Sequence, residues 1–153
     1  MSRNINEAGR ELVKSFERFC AEAYVCPAGV WTIGYGHTGG VVKGQRVTVA
    51  EAEELLSRDL AVASCEVEEH VRVPLNDNQF SALVSFVFNV GGGNLQASTL
   101  CRKLNGGEYD AVPGELKRWV KAVDPKTGKK RSLPGLVRRR AAEAGLWMRK
   151  DEA

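Results

Sequence analysis

Read for apolar periodicity, the chain divides into a short helix, a glycine-broken β segment and a run of further helices. Asn4 followed by Glu7 has the offset of a capping box, and Ile5, Leu12, Phe16 and Phe19 recur behind it at helical spacing. A helix is predicted over about 5–18, with Glu17 in its last turn. Residues 22–47 are β-type, rich in Val, Trp, Thr, Ile and Tyr with glycine punctuation, and predict an irregular sheet of three strands that turns at Pro27-Ala28-Gly29. Strand alternation puts Trp31, Ile33, Tyr35 and His37 on one face and Thr32, Gly34, Gly36 and Thr38 on the other. Two of those last four have no side chain, so the Thr32 hydroxyl is expected beside a groove, with Glu17 in reach.

Thr48-x-x-Glu51 is a full capping box, and behind it Val49, Ala52, Leu56, Leu60, Ala63, Val67 and Val71 keep one face apolar. At 1.5 Å per residue this helix is about 30 Å long, enough to bridge two lobes. Val73-Pro74 ends it. Asn76-x-x-Gln79 opens the next helix, with Phe80, Leu83, Val84, Val87 and Phe88 inward, and Gly91-Gly92-Gly93 stops it. A helix carrying Ser98, Leu100, Cys101 and Leu104 closes at Asn105-Gly106-Gly107. Another is expected over about 113–123 with Leu116, Trp119 and Val120 inward, followed by a basic loop over 124–133. Pro134 suits the first turn of a last helix that packs Val137, Ala141, Ala144 and Met148. The expected fold class is α+β, mainly helical. A single domain over 1–153 is expected, with a β-containing lobe at about 15–50, a bridging helix at about 50–72 and a helical lobe at about 73–153. A ligand belongs in the cleft between the lobes.

Composition changes this picture little. Hydrophobic residues make up 43% and charged residues 27%, as in ordinary globular proteins. No run of 18 uncharged apolar residues suggests a membrane span, and the first residues lack the apolar core of a signal peptide. Charge distribution is more informative. Residues 51–70 carry seven acids against one arginine, and residues 117–150 carry twelve cations against two acids. A basic end favours anionic partners such as cell-wall polymers, lipid headgroups or nucleic acid, although a solvated face is the plainer explanation. At least one arginine of Arg138-Arg139-Arg140 is expected to fold back onto the acidic bridging helix. The four cysteines, at 20, 26, 65 and 101, form no C-x-x-C, and with only His37 and His70 beside them a zinc site is not expected. Reduced thiols are the default, with Cys65 and Cys101 in the core.

Several motifs together then resemble a family. These are the Phe16-Glu17 pair, P-A-G at 27–29, W-T-I-G-Y-G-H-T at 31–38, N-Q-F-x-A-L-V-S-F-x-F-N-V-G at 78–91 and L-P-G-L-V-R-R-R-x-A-E at 133–143. The set resembles the phage-type lysozymes, glycoside hydrolase family 24, and within them the endolysins of lambda-like phages. The resemblance implies hydrolysis of the β-1,4 bond between N-acetylmuramic acid and N-acetylglucosamine, without metal or cofactor. It implies that the chain waits in the host cytoplasm and acts on the wall after release. Neither nucleic acid nor stable membrane insertion is expected, and a monomer is.

The family's active site reads Glu, eight residues, Asp, five residues, Thr. Glu17 and Thr32 match, and Cys26 stands where the family has aspartate. Glu17 is the expected general acid, in an apolar setting that Phe16, Phe19 and Tyr24 supply. Thr32 is expected to hold water. Three roles stand open for Cys26: base, nucleophile or spectator. A neighbouring Glu17 carboxylate is expected to raise its pKa. A Cys20–Cys26 disulfide that quenches activity on oxidation is a further expectation. Tyr24, Ser98 and Thr99 are the candidate sugar contacts, with helix capping the competing explanation for Ser98 and Thr99. His37 and Tyr35 are expected to support the site from behind. Two other readings exist: a binding protein that uses the basic end without catalysis, and a cysteine peptidase or amidase built on Cys26 and His37.

Overall fold

The computed structural model describes residues 3–26, 28–124 and 126–150, so Pro27 of the expected turn and both chain ends lie outside it. The first helix, α1 (Glu7–Glu17), starts two residues later than Asn4 suggests: Asn6 is its N-cap, accepting from the Gly9 amide. Next come β1 (Cys20–Val25) and β2 (Trp31–Gly34), an antiparallel pair with Tyr24 opposite Thr32 and Val25 opposite Trp31. The expected third strand is reduced to a bridge of Glu22 with Arg46, flanked by Ala23 N–H to Gln45 O and Val47 N–H to Ala21 O.

Both strong capping boxes form. They open α2 (Val49–His70) at Thr48 and α3 (Asp77–Val90) at Asn76. The 22-residue α2 spans about 33 Å. It buries Ala52, Leu56, Leu60, Ala63 and Val67, whereas Val49 is exposed at its first turn. α3 packs against α1, α2 and the last helix and supplies the centre of the core with Phe80, Leu83, Val84, Phe86 and Val87.

Gly91 closes α3 as expected, but the chain resumes at once as α4 (Gly92–Ala97), then α5 (Thr99–Asn105). The expected 113–123 helix is instead a 3₁₀ turn at Tyr109–Ala111 and a short α6 (Val112–Leu116). From there the backbone bonds shift to a hairpin of β3 (Lys121–Val123) with β4 (Lys130–Ser132). Asp124 builds its turn, accepting from Gly128 N–H at its carbonyl and from Lys126 N–H at its carboxylate.

Pro134 begins α7 (Pro134–Met148) as predicted, yet the buried face differs. Val137 and Met148 are 46% and 59% exposed, and Ala141 is exposed too. The inward set is Arg139, Arg140, Glu143, Ala144, Leu146 and Trp147. Burying charge is costly unless the charges pair. These do, so this inward face is written in polar letters.

Candidate active site

α1 ends on Glu17, and Arg18 caps it with φ +57° and ψ 146°, a left-handed, sparsely populated conformation. Such a backbone costs of order 1–3 kcal/mol and persists only where packing imposes it. Here it swings the chain into β1 and leaves Glu17 facing the other elements. One Glu17 oxygen, Oε2, receives Arg139 Nη1 at 2.6 Å. The other lies on Gly36, in the turn after β2: a Cβ there would sit 2.6 Å from Glu17 Oε1, and Gly36 has φ +76°. Glycine is therefore needed at 36 for both conformation and space. A groove of about 500 Å3 runs beside the carboxylate, lined by Phe16, Glu17, Asn89, Leu133, Arg138 and Arg139.

Cys26 follows β1 at the head of the hairpin turn, where its N–H donates to Val30 O and its carbonyl accepts from Gly29 N–H. The Val30 amide beside the sulfur holds the thiol below its ordinary range, against partial burial, with help from the Ala28 amide and the Thr32 hydroxyl. This corrects the expectation that Glu17 would raise it: the shift is set by amide donors at the turn, not by the carboxylate. Thr32, 4% exposed, donates its hydroxyl to Val30 O at 3.0 Å. A hydroxyl has one proton, so the same group serves the Val30 carbonyl or the Cys26 sulfur.

Tyr24 pairs across the sheet with Thr32, and its phenol is pushed up by burial first and then by the charges of Cys20, Glu17 and Cys26. Cys26, Thr32 and Tyr24 thus belong to the β1–β2 hairpin, and Glu17 to the end of α1 that leads into it. Cys20 and Cys26 do not meet. They bracket β1, and at a strand's ~3.3 Å per residue their spacing exceeds the ~7 Å that a disulfide tolerates, even with the bulge between Cys20 and Tyr24.

The sugar contacts expected on the far wall, Ser98 and Thr99, belong to the helical lobe. Ser98 is buried and caps α5, accepting from Cys101 N–H and donating to Leu95 O. Thr99 lines a separate depression of about 290 Å3 with Arg118, Trp119, Lys121 and Lys130. Strand alternation also fails past Gly34. His37 bridges back to Ile33, with Nδ1 on Asp59 at 2.8 Å and Nε2 on Gly39 O at 2.9 Å, so both its nitrogens are engaged. Cys65 is exposed, while Cys101 is buried and its thiol pushed up by that burial. Among the described residues, no group of three or more His, Cys, Asp or Glu is placed to hold a metal.

What sequence reasoning missed is the cluster behind Glu17. Arg139 and Arg140 do not reach α2. They converge on Glu143, fully buried on their own helix, and Arg139 continues to Glu17. The signal was present as spacing: Arg139 and Arg140 precede Glu143 by four and three residues, which puts them on one helix face.

The family model for phage lysozyme matches residues 14–143, which contain every residue of this site. The chain belongs to the phage lysozyme family. It is 41% identical over 144 residues to the endolysin of Acyrthosiphon pisum secondary endosymbiont phage 1, a match covering 94% of this chain and 97% of that one. The endolysin of Bacillus phage B103 is 39% identical over 148 residues, and there the match spans 54% of the longer relative. Among solved structures, the muramidase domain of SpmX from Asticaccaulis excentricus superposes with a TM-score of 0.88 at 40% identity, over 97% of this chain and all of that one. Phage lysozyme membership makes the chain a lysozyme-type glycoside hydrolase with the mainly helical, small-sheet fold of its neighbours.

Proposed function

We propose that the chain is a muramidase that hydrolyses the β-1,4 bond between N-acetylmuramic acid and N-acetylglucosamine in peptidoglycan. Glu17 is the general acid, and Cys26 and Thr32 act on the water side. What supports this reading is a carboxylate closing α1 and a thiol at the head of the β1–β2 hairpin that follows it. A carboxylate is fixed by Arg139 against bare Gly36, and a thiol is favoured toward thiolate by the Val30 and Ala28 amides and by Thr32. Glycoside hydrolysis needs an acid at the leaving oxygen and a second anion or base at the anomeric face. A thiolate with a hydroxyl beside it supplies the second function, which favours an active Cys26 over a spectator. Tyr24 and Thr99 are its candidate sugar contacts, whereas Ser98 is taken up as the cap of α5.

Glu17→Gln tests the whole proposal. Release of new reducing ends from purified wall should fall at least 100-fold, the scale of a lost general acid. A wall-binding protein without catalysis would lose nothing, and a peptidase would release amino groups instead. The anomer first formed, read by NMR, separates the roles of Cys26: inversion makes it a base for water, and retention makes it a nucleophile. Host lysis from the cytoplasm belongs to the same proposal, as does the absence of nucleic acid, membrane insertion or an obligatory partner. No helix of the described residues is long and apolar enough to cross a membrane.

A further inference from the structure

Behind the groove, one carboxylate is shut away from water with two guanidinium groups on it. Glu143 Oε2 receives Ser85 Oγ–H at 2.6 Å and Arg139 Nε at 3.3 Å, and Oε1 receives Arg140 Nη1 at 2.6 Å. Both arginines are then used a second time. Arg139 donates Nη1 to Glu17 Oε2 and Nη2 to the Ser85 carbonyl at 3.2 Å. Arg140 donates Nε to the Trp119 carbonyl at 2.9 Å and Nη2 to Asn89 Oδ1. Glu17 and Asn89 both line the groove. No buried side-chain nitrogen or oxygen among the described residues is left without a partner.

A triad of this kind is not explained by stability alone, because buried ion pairs are often no better than apolar residues of the same volume. What an apolar replacement cannot do is fix a guanidinium at the groove. Arginine is charged throughout and presents five donors in a rigid fork, so two anchored donors determine where the others point. Arg139 is anchored at Nε by Glu143 and at Nη2 by Ser85, which leaves Nη1 aimed at Glu17. Arg140 can only donate, so it fixes which end of the Asn89 amide is turned away from the groove.

We infer that Glu143 is a positioning residue for the general acid: through Arg139, held jointly with Ser85, it sets where the Glu17 carboxylate stands. The inference rests on the proposed role of Glu17. It assigns to the R-R-R-x-x-E run of α7 a task at the reaction centre, although Glu143 itself touches no substrate.

A double-mutant cycle on purified wall tests it, with E17Q as the control for the reading beneath it. Retained activity in E17Q would remove that reading, and this inference with it. Given an inactive E17Q, both E143Q and R139M should lower kcat about tenfold or more with KM within twofold, since a misplaced catalytic group costs turnover rather than affinity. The double variant should be no slower than R139M alone, because Glu143 acts through Arg139. S85A guards against a misfolded E143Q: it removes one donor to Glu143 and leaves both arginines paired. It should lower kcat several-fold in the wild-type background and have no effect beside R139M. Multiplying losses would overturn the inference. So would folded variants, matched to wild type by near-UV circular dichroism, that lose thermal stability but keep kcat within twofold.

Discussion

At the scale of single residues, Cys26 carries the sharpest pH expectation. Its thiol is held below the ordinary range, so the thiolate is present above that lowered pKa and is lost as pH falls through it. If the thiolate is the active form, wall hydrolysis should decline on the acid side at a pH where a carboxylate would still be ionised. C26D should extend activity well into the acid range, because an ordinary aspartate titrates near 3.9, where a thiol is ordinarily protonated. C26S, which cannot ionise, should be inactive. Identical acid limbs in wild type and C26D, measured as reducing ends against pH, would remove the thiolate from the mechanism. Gly36 makes the complementary case: G36A forces a side chain onto Glu17 Oε1 at a φ of +76°. It should cost 1–3 kcal/mol of stability by denaturant titration and roughly 100-fold in turnover by displacing the carboxylate. The place of Glu17 at a helix end and of Thr32 in a strand was legible from local pattern, but the roles proposed for them came from the family resemblance. Thr32 is buried with its hydroxyl on Val30 O instead of standing beside open space. The acidity of Cys26 was not legible, because it comes from Val30 and Ala28 amides that aim at the sulfur only once the turn has closed.

At the scale of elements, success and failure divide by where the information sits. The Thr48 and Asn76 capping boxes are closed within four residues, so α2 and α3 could be read directly, and T48A should cost about 1 kcal/mol by thermal melting. The β3–β4 hairpin is held by bonds between residues seven to eleven apart in a lysine-rich stretch, and nothing apolar announces it. The inward face of α7 was misread for a related reason: apolar periodicity cannot see a face whose charges neutralise one another. His37 shows how one such pairing joins elements. By bonding Asp59 it ties the turn after β2 to α2, and by bonding Gly39 it closes its own loop. H37A should lose about 1.5–3 kcal/mol, a fall of roughly 2–4 °C in Tm per kcal/mol for a chain of this size. An unchanged Tm would show that Gly34, packed on Ala52, suffices to hold the hairpin to α2.

At the scale of the whole molecule, the basic end predicted from composition separates into two populations. Arg139 and Arg140 are buried and paired, so they add nothing to the outer field. Arg118 and Arg131 are neutralised in part by Glu115 and Asp124. Of the eight exposed cations that remain in 117–150, five cluster on the β3–β4 hairpin and beside it, at Lys117, Lys121, Lys126, Lys129 and Lys130; Arg138 lines the groove, and Arg149 and Lys150 follow α7. β4 leads through Leu133 straight into the groove, so this positive surface lies at one end of the groove that holds Glu17. An anionic wall polymer should therefore be drawn to that end by a field that salt screens over ~8 Å at physiological ionic strength. Reversing three of these charges, as K126E/K129E/K130E, should weaken sedimentation of the protein with purified sacculi and flatten the dependence of that binding on salt. Turnover of a short uncharged oligosaccharide should stay at the wild-type rate, because no reacting group has moved. Equal loss on both substrates would mean that the hairpin shapes the groove rather than its field, and equal retention on both would leave the basic end as a solvated surface.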